Sequence, residues 1–347
     1  MPSSRRLHMK WLNWLLHILK AGHINWGDNM EMTMLKVHGS MNTFYMLEGA
    51  ERDDYDRLAV CLFGLDPEVD GLLVILPSDK ADAKMRVFNN DGSEASMCGN
   101  GLRCVARFVC ERDQKNEALI ETMKASLRVK KEDMTQDGLP AYSVEISPVL
   151  FDLSAVPMEY GNQKEWVLKP LPFISEEILF SAVAVPNPHL VGIVPASYQK
   201  DSAHQKRWAE HFNGDNEIFA DGVNVSYATA VEDGIFVRTF ERGVGFTNAC
   251  GTAMTASALI ACIAGIVPYG EVKVYNPGGM VKCLVRQNDD TFELQLSGNA
   301  TYLSQHSFDW NTDQSSGHFT ASRLFDEQAE YEKFIAMTVS RADRFIE

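Results

Sequence analysis

Two short stretches of the chain share one pattern, and they decide the organisation of the fold. Residues 96–101 read SMCGNG and residues 248–253 read NACGTA, so each stretch holds a Cys-Gly pair. An apolar run with helical spacing follows the first pair, and residues 256–261, after the second pair, are apolar on nearly every side. The pattern predicts two similar halves, each with a cysteine at the entry to a buried helix.

Short β-type runs fill the chain from Leu35 onward, and turn residues end each run. The sequence NPGG at 276–279 predicts a turn between two strands, because proline fixes one φ and glycine tolerates positive φ. Strands combined with two buried helices predict an α+β fold. The predicted strands cover residues 72–76, 85–88, 127–130, 142–146, 182–185, 235–240, 272–275 and 292–296.

Composition narrows the class of partner. The chain of 347 residues is 45% hydrophobic and 23% charged, which is typical of a globular protein, and its formal net charge is −15. No run of Lys and Arg offers a basic patch to phosphates. A nucleic-acid partner is therefore not expected.

The cysteines indicate the redox compartment and bear on metal binding. Seven scattered cysteines, an odd number, predict reduced thiols in a cytoplasmic protein. Cys98, Cys104 and Cys110 are spaced too widely for a zinc knuckle, so no metal site is expected. The absence of a Cys-x-x-Cys pair argues against a thiol–disulfide redox protein.

Both ends of the chain fall outside the repeated pattern. Residues 11–19 are apolar but contain Asn13 and His17, and the run is shorter than the roughly 20 residues that span a bilayer, so no membrane segment is expected. Residues 1–31 are predicted to be an N-terminal extension outside the fold. Residues 307–347 are predicted to be a polar linker and an amphipathic helix that docks on the protein or joins an oligomer, which leaves a homodimer open.

A cysteine at the start of a helix has a distinctive chemistry. Unpaired backbone N–H groups and the positive end of the helix dipole stabilise a thiolate, so the pKa values of Cys98 and Cys250 are predicted to lie below the reference of about 8.5. The glycine after each cysteine lets a bound carboxylate approach the same N–H groups. Two opposed thiols would supply a base on one face of Cα and an acid on the other, as inversion of a stereocentre requires.

Longer motifs surround both cysteines. Residues 86–94 (RVFNNDGSE) precede residues 98–104 (CGNGLRC), and residues 241–245 (ERGVG) precede residues 247–252 (TNACGT). Taken in this order, they resemble the two signatures of the diaminopimelate epimerase family. The resemblance implies two pseudo-symmetric domains, each a β-sheet wrapped around a central helix, with the active site in the cleft between them. It places the domains at 32–148, with a return segment near 299–306, and at 149–298.

The same resemblance implies a role for individual residues. Cys98 and Cys250 would be the catalytic acid–base pair, acting without pyridoxal phosphate, another cofactor or a metal. His189 and Glu241 would tune the pKa values of the two thiols. An amino-acid substrate would be bound by Asn42, Asn89, Gly99, Asn100, Asn187, Asn224, Glu241, Arg242, Gly251 and Thr252.

The activity implied is the interconversion of LL- and meso-2,6-diaminopimelate, an isomerase step towards lysine and peptidoglycan precursors. Departures from the family pattern leave the substrate open: Thr43 follows Asn42 where an acid or serine is usual, Gly71 replaces a glutamine, and Phe246 replaces an acidic residue. The alternatives are a racemase of the same fold that acts on histidine or proline, and a non-catalytic amino-acid-binding homologue. A binding protein would need no pair of opposed thiols.

Overall fold

The chain contains two copies of one order of strands and helices. The computed structural model describes residues 29–133, 138–289 and 291–346, with the backbone alone at 341–346. The first copy comprises β1 (Asn29–Gly39), β2 (Asn42–Glu48), α1 (Tyr55–Leu65), β3 (Gly71–Leu76), β4 (Ala83–Asn89), β5 (Glu94–Ala95), α2 (Gly99–Arg112), β6 (Glu117–Glu121), β7 (Ser126–Glu132) and β8 (Ala141–Glu145).

A short connection leads to the second copy and a tail follows it. The connection holds a 3-10 turn (Leu153–Ala155) and β9 (Lys169–Leu171). The second copy comprises β10 (Ser175–Val185), β11 (Asn187–Ile193), α3 (Ser197–Lys200), α4 (Ala203–Phe212), β12 (Asn224–Val231), β13 (Gly234–Glu241), β14 (Gly245–Thr247), α5 (Gly251–Ile263), β15 (Gly270–Asn276), β16 (Gly279–Asn288) and β17 (Thr291–Asn299). The tail comprises β18 (Thr301–Asn311), β19 (Ser316–Leu324) and α6 (Glu327–Ile346).

Strand pairing has the same order in both copies. It runs β1-β2-β3-β4-β6-β7-β8 in the first and β10-β11-β12-β13-β15-β16-β17 in the second. The parallel pairs are β2–β3 and β4–β6 in the first copy, and β11–β12 and β13–β15 in the second. Antiparallel pairing of β8 with β17 joins the copies, and β18 crosses back to pair with β1. The predicted two-fold repeat and α+β class are confirmed.

Each sheet encloses one helix and carries another outside. Side chains of β3 alternate: Leu73 and Ile75 pack in the core around α2, whereas Leu72 and Val74 pack with Leu58 of α1 on the other face. A strand covered on both faces needs apolar residues throughout, which explains the continuous run GLLVIL. In the second copy every residue of α5 from Gly251 to Cys262 is buried, as its all-round apolar sequence predicts.

The local predictions hold with limits at the chain ends. All eight predicted strand runs overlap strands, and Asn276 pairs with Gly279, whose φ of +118° closes the NPGG turn. The predicted extension 1–31 is wrong at its end, because residues 29–31 belong to β1 and pair with residues 309–311 of β18. Residues 1–28 lie outside the described residues. The domain boundaries stay a prediction.

The tail differs from the predicted linker. Residues 307–317 form the end of β18, a turn and the start of β19, because backbone pairing satisfies their polar groups. The helix that follows, α6, packs Tyr331 and Phe334 against the body of the protein. In the part of the chain that the structure describes, no helix is long and apolar enough to cross a membrane.

Candidate active site

Cys98 is the capping residue of α2. Its sulfur accepts a hydrogen bond from the backbone N–H of Gly101, with a sulfur–nitrogen distance of 3.4 Å. On its other side the sulfur lies 3.5 Å from Oδ1 of Asn42, at the start of β2. A thiol in this position can donate a proton towards the cleft while the first turn of the helix holds the sulfur.

Cys250 occupies the equivalent position before α5. It is 8% exposed, and its sulfur lies 3.5 Å from Oγ1 of Thr252. Glu241, the last residue of β13, lies close enough to hydrogen-bond with the thiol and to raise its pKa. The two cysteines therefore share a backbone setting but have different polar neighbours.

The starts of the two helices meet. A Cβ atom on Gly99 would lie 3.9 Å from Cα of Gly251 and 3.2 Å from Cδ2 of Leu296, and a Cβ atom on Gly251 would lie 2.7 Å from the same Leu296 atom. Asn100 Nδ2 donates to the backbone oxygen of Ala249 at 3.1 Å. A side chain at Gly251 would press on Leu296 of β17 and would lie 3.3 Å from Oδ1 of Asn100, so glycine at this position leaves room for the two helix starts to lie close together.

The predicted low thiol pKa values are wrong. Burial raises the pKa of Cys98 to about 11, although the backbone N–H groups of Gly101 and Asn100 lower it. Burial and then the carboxyl group of Glu241 hold the pKa of Cys250 well above its usual range. The helix termini act in the predicted direction, but removing a thiolate from water costs more than they contribute.

Glu241 is an acid held in a confined setting. Burial raises the pKa of its carboxyl group, whereas hydrogen bonds from Thr247 and Cys250 lower it. Thr247 Oγ1 donates to Oε1 of Glu241 at 2.5 Å. The pKa of Cys98 is also raised by Glu241, so this carboxyl group faces both thiols.

His189 lies on β11 and is fully buried. Neither ring nitrogen has a hydrogen-bond partner of normal geometry among the described residues. Burial lowers its pKa to about 3, and although the backbone of Val185 raises it, Arg242 lowers it further, so the ring is neutral near pH 7. A neutral imidazole has one donor and one acceptor available for a ligand or a thiol.

Four of the predicted substrate-binding residues stand at strand ends, and of these Asn42 contacts Cys98. Asn42 and Asn187 begin β2 and β11, Asn224 begins β12, and Asn89 ends β4. Asn224 Oδ1 accepts from the backbone N–H of Arg242 at 2.9 Å. The guanidinium of Arg242 donates to the backbone oxygen of Asp221 at 2.7 Å, and its side chain is exposed.

Known proteins resemble this chain over most of its length. The sequence profile of the family described as diaminopimelate epimerase matches residues 34–144 and 181–303. A diaminopimelate epimerase from Ligilactobacillus salivarius is 44% identical over 324 residues, which cover 88% of this chain and 99% of the relative. One from Listeria monocytogenes is 42% identical over 86% of this chain and 94% of the relative. The chain belongs to the diaminopimelate epimerase family.

Solved structures support the fold of this family member. A phenazine biosynthesis protein of the PhzF family from Bacillus anthracis superposes with a TM-score of 0.59 at 15% identity, covering 80% of this chain and 99% of that one. A hydroxyproline epimerase from Agrobacterium vitis superposes with a TM-score of 0.55 at 15% identity, covering 89% and 99%. At such identities the likeness concerns the fold alone.

Three residues that contact or lie close to the predicted site residues were not themselves predicted as site residues from the sequence. Asp70 hydrogen-bonds Asn42, Thr247 hydrogen-bonds Glu241, and Arg103 is buried behind Cys98. Asp70 has one local signal, since it directly precedes a strand that starts at the site. Across residues 29–133, 138–289 and 291–346, no three His, Cys, Asp or Glu side chains come together as metal ligands.

Proposed function

We propose that this protein interconverts LL- and meso-2,6-diaminopimelate by proton transfer at Cα, with Cys98 and Cys250 as the acid–base pair. The observation that carries the proposal is the meeting of two helix starts, each capped by a cysteine and followed by glycine. The curated relatives named as diaminopimelate epimerases supply the substrate. The product would serve lysine and peptidoglycan precursor synthesis.

The reacting carboxylate is held between the helix starts. Backbone N–H groups at Gly99–Asn100 and Gly251–Thr252 are free of helical partners and point out of the first turns. When a thiolate removes the Cα proton, negative charge develops into this carboxylate, and both helix dipoles stabilise it. No electron sink beyond these groups is used in the proposal.

Protonation of the thiols changes as substrate binds. In the substrate-free protein, burial favours both thiols over thiolates. The ammonium group of the substrate brings a cation into the cleft and lowers the pKa of an adjacent thiol. Glu241 disfavours the thiolate at Cys250. His189, a neutral ring with one hydrogen-bond donor and one acceptor, is the second proposed tuning group.

The far end of the substrate sets specificity. Arg242 offers a forked donor for the distal carboxylate, and the amides of Asn89, Asn187 and Asn224 offer partners for the distal ammonium. A proline substrate would leave these groups unpaired at about 1–3 kcal/mol each. We expect kcat/KM for diaminopimelate to exceed that for histidine or proline by at least about a hundredfold.

Isotope exchange tests the two-base step. Starting from one isomer in heavy water, early product should carry deuterium at Cα while recovered substrate does not, because each thiol delivers its own proton to one face. Equal early labelling of both isomers would indicate a single base. A protein that inverts histidine and leaves LL-diaminopimelate unchanged would refute the substrate assignment.

A further inference from the structure

The side chains of Asp70, Asn42 and Cys98 form a hydrogen-bonded series. Asn42 Nδ2 donates to Oδ2 of Asp70 at 2.8 Å, and Oδ1 of Asn42 lies 3.5 Å from the Cys98 sulfur. The same Asp70 oxygen accepts from the backbone N–H of Thr43 at 2.7 Å. Asp70 directly precedes β3, so three separate segments of the first copy meet at this point.

Hydrogen-bond chemistry fixes the direction of this series. A carboxylate has only acceptor atoms, so the amide of Asn42 turns its NH2 group to Asp70. The carbonyl oxygen of Asn42 then faces Cys98, and because that oxygen only accepts, the sulfur must donate. A sulfur that donates is a thiol, since a thiolate has no proton to give.

Among the described residues of the second copy there is no such series. Asn187 stands at the start of β11 as Asn42 does at the start of β2, but the residue before β12 is Val223 where the first copy has Asp70. Val223 is buried and apolar. An asparagine amide oriented by a carboxylate is therefore found next to Cys98 and not at the equivalent strand ends of the second copy.

We propose that Asp70 is a positioning residue that acts through Asn42 to keep Cys98 as a thiol in the substrate-free protein. The inference rests on the proposed function in assigning proton transfer to Cys98, yet the state of this sulfur can be measured without substrate. Substrate must displace the Asn42 carbonyl or bring a cation before Cys98 serves as base. Asp70 thus holds the Cys98 sulfur in its protonated form until substrate binds.

Other charged and titratable groups face Cys98 and must be separated from this effect. Glu241 on β13 raises the pKa of Cys98, whereas Arg103 on α2 lowers it, and Cys104 lies on the same helix. Asp70 also raises the pKa of Glu241. Removing Asp70 would therefore leave Glu241 more ionised, which would raise the pKa of Cys98, opposite to the change expected through Asn42.

The pH dependence of Cys98 alkylation tests the proposal directly, because its midpoint reports the pKa of the thiol. In a Cys250→Ser background, the iodoacetamide reaction of the Cys98 peptide is followed by mass spectrometry as a function of pH. Asp70→Ala should lower the midpoint by about one pH unit, the size of one hydrogen bond. The thiolate fraction below the midpoint rises about tenfold and the rate about threefold, because a less basic thiolate is a weaker nucleophile.

A double-mutant cycle shows whether Asp70 acts through Asn42. Asn42→Ala should lower the midpoint as Asp70→Ala does, and the double variant should shift no further than either single variant. Asp70→Asn keeps an acceptor oxygen for Asn42 and Thr43, so its alkylation midpoint should not fall below that of the parent, and greater ionisation of Glu241 can only raise it. Glu68→Ala, an exposed acid on the same loop, is the matched control.

Three outcomes would overturn the proposal. They are an unchanged midpoint in Asp70→Ala, an equal shift in Asp70→Asn, and additive shifts in the double variant. The last two would show that Asp70 acts through its charge alone. Circular dichroism checks folding, and if Asp70→Ala does not fold, an unchanged midpoint in Asn42→Ala still refutes the inference. None of these results depends on turnover, so the proposed function can fail or hold independently.

Discussion

The two copies of the fold place different residues around equivalent cysteines. Asn89 ends β4 and Glu241 ends β13, each nine residues before its cysteine, so an amide on one side corresponds to a carboxyl group on the other. Five residues after its cysteine, α2 carries Arg103 where α5 carries Thr255. The shared backbone places each thiol at the start of a buried helix, and the side chains make their surroundings electrostatically unequal.

In the proposed proton transfer, this inequality would separate the roles of the two thiols. A pair of identical thiols would have no preferred proton donor, whereas different neighbours separate their pKa values. Arg103 lowers the pKa of Cys98, and Glu241 raises the pKa of Cys250 more than any other neighbouring charge. Removing either thiol, or moving a charge from one copy to the other, is therefore a direct way to test the comparison.

The largest expected effect comes from the cysteines themselves. Cys98→Ala and Cys250→Ala should each reduce inversion by about a hundredfold to ten-thousandfold, the usual contribution of a general acid or base. Each variant retains one thiol, so in heavy water it should exchange the Cα proton of only one isomer, and the two variants should label opposite isomers. NMR of recovered substrate measures this.

A suitable control is Cys61→Ala, which removes a partly exposed thiol of α1 and should leave turnover unchanged. Labelling of the same isomer by both active-site variants would contradict the assignment of one thiol to each face of Cα.

Local sequence patterns predicted much of this fold. Residues 256–261 and the run at 72–76 are apolar because sheets or helices cover them on all sides, and such burial is visible in the residues themselves. Several strands were not predicted, among them β1, β2, β11 and β18. Polar residues interrupt them, as in Ser304, Gln305 and His306 of β18, and the pairing of β18 with β1 joins segments that lie far apart in the sequence.

The helix starts at the two Cys-Gly pairs were predicted, but the pKa direction of the two thiols was not. The two Cys-Gly pairs mark the helix starts, whereas the pKa direction depends on burial by distant segments. Arg103 and Arg107 lie on a polar stripe of α2 in the sequence, yet both are buried. Arg103 donates to the backbone oxygen of Asn299, and Arg107 pairs with Glu327, contacts that no local pattern encodes.

The second effect concerns the tail. Of the two central helices α2 and α5, α2 forms an ion pair with the tail. Arg107 of α2 forms two hydrogen bonds to Glu327 of α6, at 2.6 and 2.7 Å, whereas α5 has Leu259 at the equivalent position. Glu327→Ala leaves a buried guanidinium with fewer partners. We expect a loss of about 2–4 kcal/mol in the free energy of unfolding, measured in urea.

A matched change on the same helix is Glu330→Ala, whose partner Lys333 is exposed. It should cost at most about 0.5 kcal/mol. Equal losses in the two variants would mean that the ion pair between Glu327 and Arg107 stabilises the protein no more than an exposed ion pair does.

The third effect tests why the first copy has glycine where the second has Asn224. A Cβ atom on Gly71 would lie 2.4 Å from the backbone oxygen of Phe88 in the paired strand, so a side chain forces β3 and β4 apart. Gly71→Ala should cost about 1–3 kcal/mol. Gly64→Ala, at an open position in α1, should be neutral or stabilise by up to about 1 kcal/mol. Thermal unfolding of both variants measures these stability changes. A Gly71→Ala protein as stable as the parent would show that β3 and β4 can move apart at no measurable cost.

The smallest effect tests the carboxyl group that distinguishes the second copy. Burial raises the pKa of Glu241, so its ionisation opposes folding: this group's contribution to stability is fully present below the pKa of the unfolded chain and is lost as pH rises through the folded pKa. Glu241→Gln removes that loss while its amide oxygen can still accept from Thr247. The variant should therefore unfold at a higher temperature than the parent at pH 8, and the difference should shrink towards pH 4, where the parent carboxyl group is protonated. Asn89→Asp places a carboxylate at the equivalent, exposed position of the first copy, where water solvates it, and should leave the unfolding temperature at pH 8 nearly unchanged. A Glu241→Gln protein that is less stable than the parent at pH 8 would mean that the hydrogen bonds from Thr247 and Cys250 outweigh burial at this carboxyl group.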